Sequence, residues 1–315
     1  VNVLTHIKQF LTSYLFIVLV ALFFGLMFES YAVLLSPLAT TFLGIIFFFT
    51  AIKIDLKHTL EYLSDKRMLL IVNLFMLILF PLIAYYFGML VAPSIALPLL
   101  ILAAMPSGMT VPLLSEIIGG KQDLALIFAV TTSLLAPITV PFILQLSIGA
   151  TVPVSLLSIF ISLGKIIFIP FLLAAILKEP LKHKQHIIDT ISKPLSLLLL
   201  GLIIAGMVAT QAELLLASIN THFAAYLVAM CIFFVITYLI GYFSIFWHPY
   251  QDRLAIAVSL TYMNITLAIY IAGTFFPESG VLIPIIIAVL PWSLSLTLFK
   301  KIAEMTHRTK QLPTE

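Results

Sequence analysis

Charge is what this sequence has least of. Of its 315 residues only 9% are Asp, Glu, Lys or Arg, against roughly 25% in a soluble domain. The longest polar run is Thr306–Glu315, which leaves no room for a separate aqueous domain. Cysteine is nearly missing as well. Cys231 stands alone in an apolar run, which excludes an internal disulfide and a Cys-based metal cluster. The seven histidines (His6, His58, His183, His186, His222, His248 and His307) fall in loops or at the ends of apolar segments, which argues against a histidine proton relay or metal site. There is no Gly-rich phosphate loop and no nucleophile–base pair, so neither an enzyme nor a cofactor is expected. The net charge of +3 forms no patch for nucleic acid.

What the chain does have is carbon. Hydrophobic residues make up 62% of it, and the mean hydropathy is +1.21. A helix crossing the hydrocarbon of a bilayer needs about 20 apolar residues. Ten segments qualify: Leu11–Phe28, Pro37–Ile54, Met68–Val91, Ser94–Ile118, Leu124–Gly149, Val152–Leu177, Ile191–Gln211, His222–Phe246, Leu254–Phe276 and Val281–Phe299. The first could imitate a signal peptide, but it has no small-residue cleavage site and many similar segments follow, so it reads as a span. Helices satisfy their own backbone hydrogen bonds in lipid, and an all-α polytopic membrane protein follows.

The basic residues orient it. Of 16 Lys and Arg residues, all except Lys165 fall on one side of the segments, from Lys8 through Lys53, Lys121, Lys182 and Arg253 to Lys300. The other side receives Glu29, Glu213 and Glu278. By the positive-inside rule both termini are cytoplasmic, and a bacterial inner membrane is the expected location. Five spans that start inside followed by five that start outside make an inverted repeat, about 1–150 and 151–305, in a single transporter domain with a polar tail at 306–315. The fourth and ninth spans are equivalent in that scheme, and both are unusual. Pro106 and Pro112 bracket Ser107, Gly108 and Thr110 near mid-membrane. Two prolines flanking a glycine predict an unwound stretch rather than a kink. Span 9 carries Thr261-Tyr262-Met263-Asn264-Ile265-Thr266 at matching depth without Pro or Gly, and its break is expected from the symmetry. Paired broken helices mark a transporter binding site.

These segments resemble a known family. Leu43 through Lys57, Phe80-Pro81, Met105-Pro106-Ser107-Gly108, Gly120 through Leu126, Thr131 through Pro141, Ile161 through Pro170 and Asn264 are together similar to the motifs of the bile acid:sodium symporters, in the same order along the whole chain. The resemblance implies ten helices. Spans 3–5 and 8–10 would form a core domain, spans 1, 2, 6 and 7 a panel, and spans 4 and 9 would cross in the core. It also implies sodium-coupled import of organic anions by movement of core against panel.

The same alignment implies that the sodium ligands have gone. Val111 and Pro112 stand where the family has a Ser-Asn pair, Ala125 and Ala129 where it has Ser and Thr, Ser259 and Met263 where it has Glu and Gln, and Met76 where it has Gln. Sodium wants several hard oxygens, so sodium coupling is not expected to carry over with the fold. The candidate substrate-binding residues are Ser107, Gly108, Met109, Thr110, Thr261, Tyr262, Asn264 and Thr266, with Asn264 foremost because an amide at mid-depth needs partners. The candidates for ion or proton coupling are Lys165, Glu116, Thr132 and Ser133. Ionisable groups inside a membrane are functional suspects. Lys165 is either a snorkelling stem or a charge facing the cleft between core and panel, and Glu116 is either an ion-pair partner of Lys121 or a protonatable gate. Asn73, Ser115 and Thr131 are further polar groups at depth, though such hydroxyls often bond back to their own helix.

The leading reading is a secondary-active or facilitative carrier of a small-molecule organic anion, bile-acid-like or a small carboxylate, that works by alternating access without the family's usual sodium sites, with a proton, sodium or no coupling ion. The alternatives are a sodium symporter with relocated ligands, and a non-transporting membrane sensor or partner-binding protein of the same fold.

Overall fold

The computed structural model describes residues 14–53, 66–149, 155–277 and 280–309; His6, Lys8, Asp55, Lys57, His58, Glu278 and Lys310 lie outside them. The described residues form helices α1 (Tyr14–Met27), α2 (Glu29–Ala51), α3 (Lys66–Val91), α4 (Pro93–Ala104), α5 (Val111–Ile117), α6 (Gln122–Ile148), α7 (Leu156–Leu181), α8 (Gln185–Ala209), α9 (Ala212–Phe243), α10 (Tyr250–Thr261), α11 (Ile265–Phe275) and α12 (Leu282–Thr309). Among them no strand occurs, only one isolated bridge.

Prolines shape the long helices. In α2, Pro37 sits in a tightened 3-10 stretch, Val33–Leu38. In α3, a π turn at Phe75–Leu79 directly precedes Pro81; the wider turn absorbs the carbonyl that the proline leaves without a donor. Six helical runs among the described residues are long and apolar enough to cross a membrane. The longest, Leu156–Ala209, contains both α7 and α8 and is interrupted by a 3-10 turn at Lys182–Lys184. Both helices pack on α2, so the chain doubles back at that basic turn.

Helices outlast the apolar segments that predicted them. α8 begins at Gln185 rather than Ile191, α9 at Ala212 rather than His222, and α12 continues to Thr309 through the start of the polar tail. Hydropathy marks where hydrocarbon ends, whereas helical hydrogen bonding continues into the interface.

Contacts divide the helices into two groups. α1, α2, α7 and α8 pack together, α8 against α1 and α2 and α7 against α2. In the other group α3 lies on α4, α6 on α5 and α10, α9 on α10 and α12, and α11 on α12 and α4. α6 with α7, α8 with α11 and α1 with α12 join the groups. Burial is deepest inside the second group, although its outer helix α3 is as exposed as α1 and α7. Leu100–Leu102, Leu254–Val258 and Leu267–Ala272 are almost wholly buried, while α1, α3 and α7 expose Phe23, Leu90 and Leu172. Helices apolar on every face belong in an interior or in lipid, and here both cases occur in one chain.

Candidate functional site

Two interrupted helices meet at the centre of the second group. α4 stops at Ala104, and Met105 is extended (φ −71°, ψ 144°), the conformation a residue takes before proline. The chain becomes helical again at Val111, with Pro112 in the first turn of α5, where a missing N–H costs nothing. Pro106 therefore ends one half-helix and Pro112 starts the next. The second break, Tyr262–Asn264 between α10 and α11, has no such residues and is held by pairing with the first. Ser107 and Met263 form an antiparallel bridge. The Gly108 N–H donates to the Tyr262 carbonyl at 2.8 Å, and the Asn264 N–H donates to the Pro106 carbonyl at 2.7 Å. A Cβ on Gly108 would lie 2.8 Å from the Tyr262 carbonyl oxygen, so glycine alone permits this approach. The Asn264 side-chain oxygen accepts from the Leu267 N–H at 3.0 Å and caps α11.

Behind the crossing lies a buried layer of hydroxyls. Thr132 on α6 accepts from the Ser107 N–H at 3.1 Å and donates back to the Phe128 carbonyl. The Ser107 hydroxyl donates to the Ser259 carbonyl at 2.6 Å. Ser133, Ser259 and Thr261 are all but fully buried, and their hydroxyls have no hydrogen-bond partner among the described residues.

In front of the crossing opens a cleft of about 850 Å³. The breaks contribute Met109, Thr110 and Tyr262 to its wall and the start of α11 contributes Thr266; α2 contributes Ile46, Phe49 and Thr50, and the turn after it Lys53; α8 contributes Ser192, Lys193, Ser196, Leu197 and Leu200. Trp292 closes it from α12, edge-on to Tyr262 with ring centroids 5.5 Å apart. The Tyr262 hydroxyl shares a 2.7 Å bond with Ser295. Toward the other ends of the same helices the two groups touch. Thr40 on α2 and Tyr270 on α11 share a 2.8 Å hydroxyl bond. Met207 on α8 lies against Gly273 on α11, so closely that a Cβ there would be 2.6 Å from its sulfur. The cleft is thus open toward Lys53 and Lys193 and shut toward Thr40 and Met207.

Residues 40–218 match the Sodium Bile acid symporter family, more than half of the chain. The chain belongs to this family. It is an integral membrane transporter, sodium-dependent or of a related kind, and not an enzyme. It is also similar to an uncharacterised sodium-dependent transporter, YocS, of Bacillus subtilis strain 168, at 25% identity over 260 residues, 82% of this chain and 80% of that protein.

At the positions where the alignment implies that this symporter family keeps polar sodium ligands, Met76, Val111, Pro112, Ala125, Ala129 and Met263 are buried. The structure divides the predicted site residues into two sets. Met109, Thr110, Tyr262 and Thr266 line the cleft, whereas Ser107, Gly108 and Thr132 lie beneath it and hold the crossing; Thr261 and Ser133 are buried beneath it without hydrogen-bond partners among the described residues. Asn264 is half-buried between the two. Lys165 is exposed on α7 and is not part of the cleft wall; Ile161, Phe168 and Ile169 around it are exposed as well. Glu116 is exposed on α5, and Lys121 pairs not with it but with Asp252 at 3.6 Å, which also meets His248 at 3.5 Å. Asn73 and Thr131 bond each other at 3.0 Å and clasp α3 to α6, and the Ser115 hydroxyl bonds the Lys121 carbonyl.

Sequence reasoning missed Asp252, Trp292 and the whole α2–α8 wall. A signal for that wall was available: Ser192 and Ser196 are four apart with Lys193 between them, a polar stripe on one helical face.

Proposed function

We propose that this protein is a carrier of organic anions that works by alternating access between a ten-span core and panel, and that it does not use the family's customary sodium sites. The core comprises α3–α6 and α9–α12, the panel α1, α2, α7 and α8, and the two halves of the chain are inverted repeats. Helix contacts support this division, because each group is packed within itself and the two touch along few helices. The single observation that carries the functional reading is the crossing of two broken helices at the head of a cleft between the groups. Thr110 and Thr266 present hydroxyls there, and Tyr262 and Met109 present adaptable apolar surface. With both termini in the cytoplasm of a bacterial inner membrane, the open end faces inward and the Thr40–Tyr270 end faces out.

The carbon-lined positions around Val111, Ala125 and Met263 favour transport without sodium, since a hard cation needs several oxygens. Moving one negative charge inward against about 100 mV costs about 2.3 kcal/mol, so the carrier works as an exporter, an exchanger or a proton-coupled importer. In proteoliposomes, uptake of an anionic substrate at fixed membrane potential is expected to be equal in sodium and potassium. A steep rise with an inward sodium gradient overturns this reading.

A second reading is favoured by the partnerless hydroxyls of Ser133, Ser259 and Thr261 and by the name of the Bacillus relative: a sodium symporter with relocated ligands. It predicts thermal stabilisation of the purified protein by sodium but not potassium, lost in Ser259→Ala and Thr261→Val.

A further inference from the structure

Lys165 faces the wrong solvent. It is exposed on α7, nine residues after Leu156, so its Cα lies roughly 14 Å along the helix from that end. Lys178 marks the basic end thirteen residues further on, roughly 20 Å away. The hydrocarbon of a bilayer is about 30 Å thick, which puts Lys165 well inside it. The opposite face of α7, with Ile159, Leu163, Ile166 and Pro170, is buried against the protein, where α7 packs on α2 and α6. The face that bears Lys165 is carbon from there toward Lys178: Phe168, Ile169, Leu172 and Ile176 are all exposed, spaced as one side of a helix. A charge left in hydrocarbon is costly, and a lysine relieves the cost by carrying its ammonium to the interface on a long apolar stem. Long side chains on a helix point back toward its N-terminus, here the Leu156 end. In that direction the same face turns polar. Ser162 lies three residues before Lys165 and Ser158 seven before it, one above the other on the helix.

We infer that Lys165, Ser162 and Ser158 form a phospholipid site on the outer surface of α7, holding the phosphate of one lipid whose acyl chains run along Phe168, Leu172 and Ile176. An ammonium beside two hydroxyls matches a phosphodiester, with one charge-assisted contact and two O–H donors. A zwitterionic headgroup brings its own cation to the same place, so the fit favours an anionic lipid such as phosphatidylglycerol. The change from polar to apolar along the face sets the direction of the lipid, headgroup at the Leu156 end and chains toward Lys178. A lipid held there fixes the depth of α7, which ties α2 to α6. With the orientation proposed above, it belongs to the outer leaflet; the site itself depends neither on that orientation nor on the transport cycle.

The test uses the full chain in bilayers, with Trp247→Phe, Trp292→Phe and Phe168→Trp, which leaves one indole beside Lys165. Quenching of that indole by dibrominated phosphatidylglycerol and by dibrominated phosphatidylcholine gives the relative affinity of the two lipids for this face. A preference of about fivefold for phosphatidylglycerol is expected, the scale of one lysine acting on an anionic lipid. It is expected to vanish in Lys165→Gln and to be kept in Lys165→Arg. Equal affinity for the two lipids before substitution, or a preference unmoved by Lys165→Gln, overturns the site. An indole quenched by neither lipid shows that protein covers the face, as between two copies of the chain, and overturns it too. Trp247, exposed at the far end of α9, serves as the distant reporter in Trp292→Phe; a loss of preference there equal to that at residue 168 overturns the local assignment. With both native tryptophans in place, native mass spectrometry is expected to find one fewer tightly held phosphatidylglycerol in Lys165→Gln, and an unchanged number overturns the proposal.

Discussion

Gly108 sits where the two breaks leave no room for a side chain. Its N–H is bonded to the Tyr262 carbonyl, and the space beside its Cα is filled by the same oxygen at 2.8 Å from any added Cβ. The obstacle is backbone, which cannot rotate aside, so Gly108→Ala must part the two breaks. A loss of about 1–3 kcal/mol is expected, the usual scale of overpacking, together with loss of ligand-induced stabilisation in a thermal melt. Thr132→Val tests the layer behind. It removes the acceptor of the Ser107 N–H and leaves a buried donor unmet, at a cost of about 1–3 kcal/mol, with the cleft wall untouched. Residue by residue, legibility followed chemistry that forbids alternatives. Pro106 and Gly108 announced the first break because no straight helix accommodates them. Lys165 and Glu116 each stayed open to two readings, because sequence reports that a charge lies at depth but not which way it faces; both side chains are exposed. Asp252, which does bind two partners, sits at the start of α10 where an acidic residue looks like ordinary helix-end charge.

At the scale of elements, the second break is a product of the first. α10 ends and α11 starts with neither proline nor glycine, and the interruption is held by two main-chain bonds from the facing segment and by the Asn264 cap. Such a break is invisible to local propensity and had to be inferred from the symmetry of the spans. It also gives Asn264 two separable duties. Asn264→Asp keeps a side-chain oxygen for the Leu267 N–H, whereas Asn264→Ala does not. The alanine variant is expected to lose about 1 kcal/mol of stability as well as ligand response. The aspartate variant is expected to keep the stability and lose the response to anions, because the new carboxylate repels them. If aspartate and alanine lose stability alike, capping is not the role of this side chain. The wall supplied by α2 and α8 was missed for the opposite reason: its residues are unexceptional one at a time and become a surface only once α8 folds back on α2.

For the whole molecule, the decisive property is that the cleft has one open end. Ser196 lies on its wall and Thr40 in its seal. In a Cys231→Ser background, Ser196→Cys is expected to react with a membrane-impermeant thiol reagent from the side bearing Lys53 and Lys193, and a transported anion should slow that reaction. Thr40→Cys is expected to stay unreactive until turnover begins. Labelling of Ser196→Cys from the opposite face would reverse the orientation read from the basic residues. That orientation came from counting charges. The crossing at mid-depth came from proline and glycine. The state of the two ends came from neither, since opposite states share every helix and differ in which ends touch.

The shut end is held by side chains. A shared hydroxyl bond and a thioether resting on a glycine are among the contacts between α2 or α8 and α11, whereas the crossing is tied by main chain. In the proposed cycle these side-chain contacts are expected to yield before the main-chain ties of the crossing, which places the slow step at the shut end. Tyr270→Phe is expected to quicken exchange severalfold while leaving apparent affinity unchanged, and a bulkier side chain in place of Gly273 is expected to jam the door without emptying the room behind it.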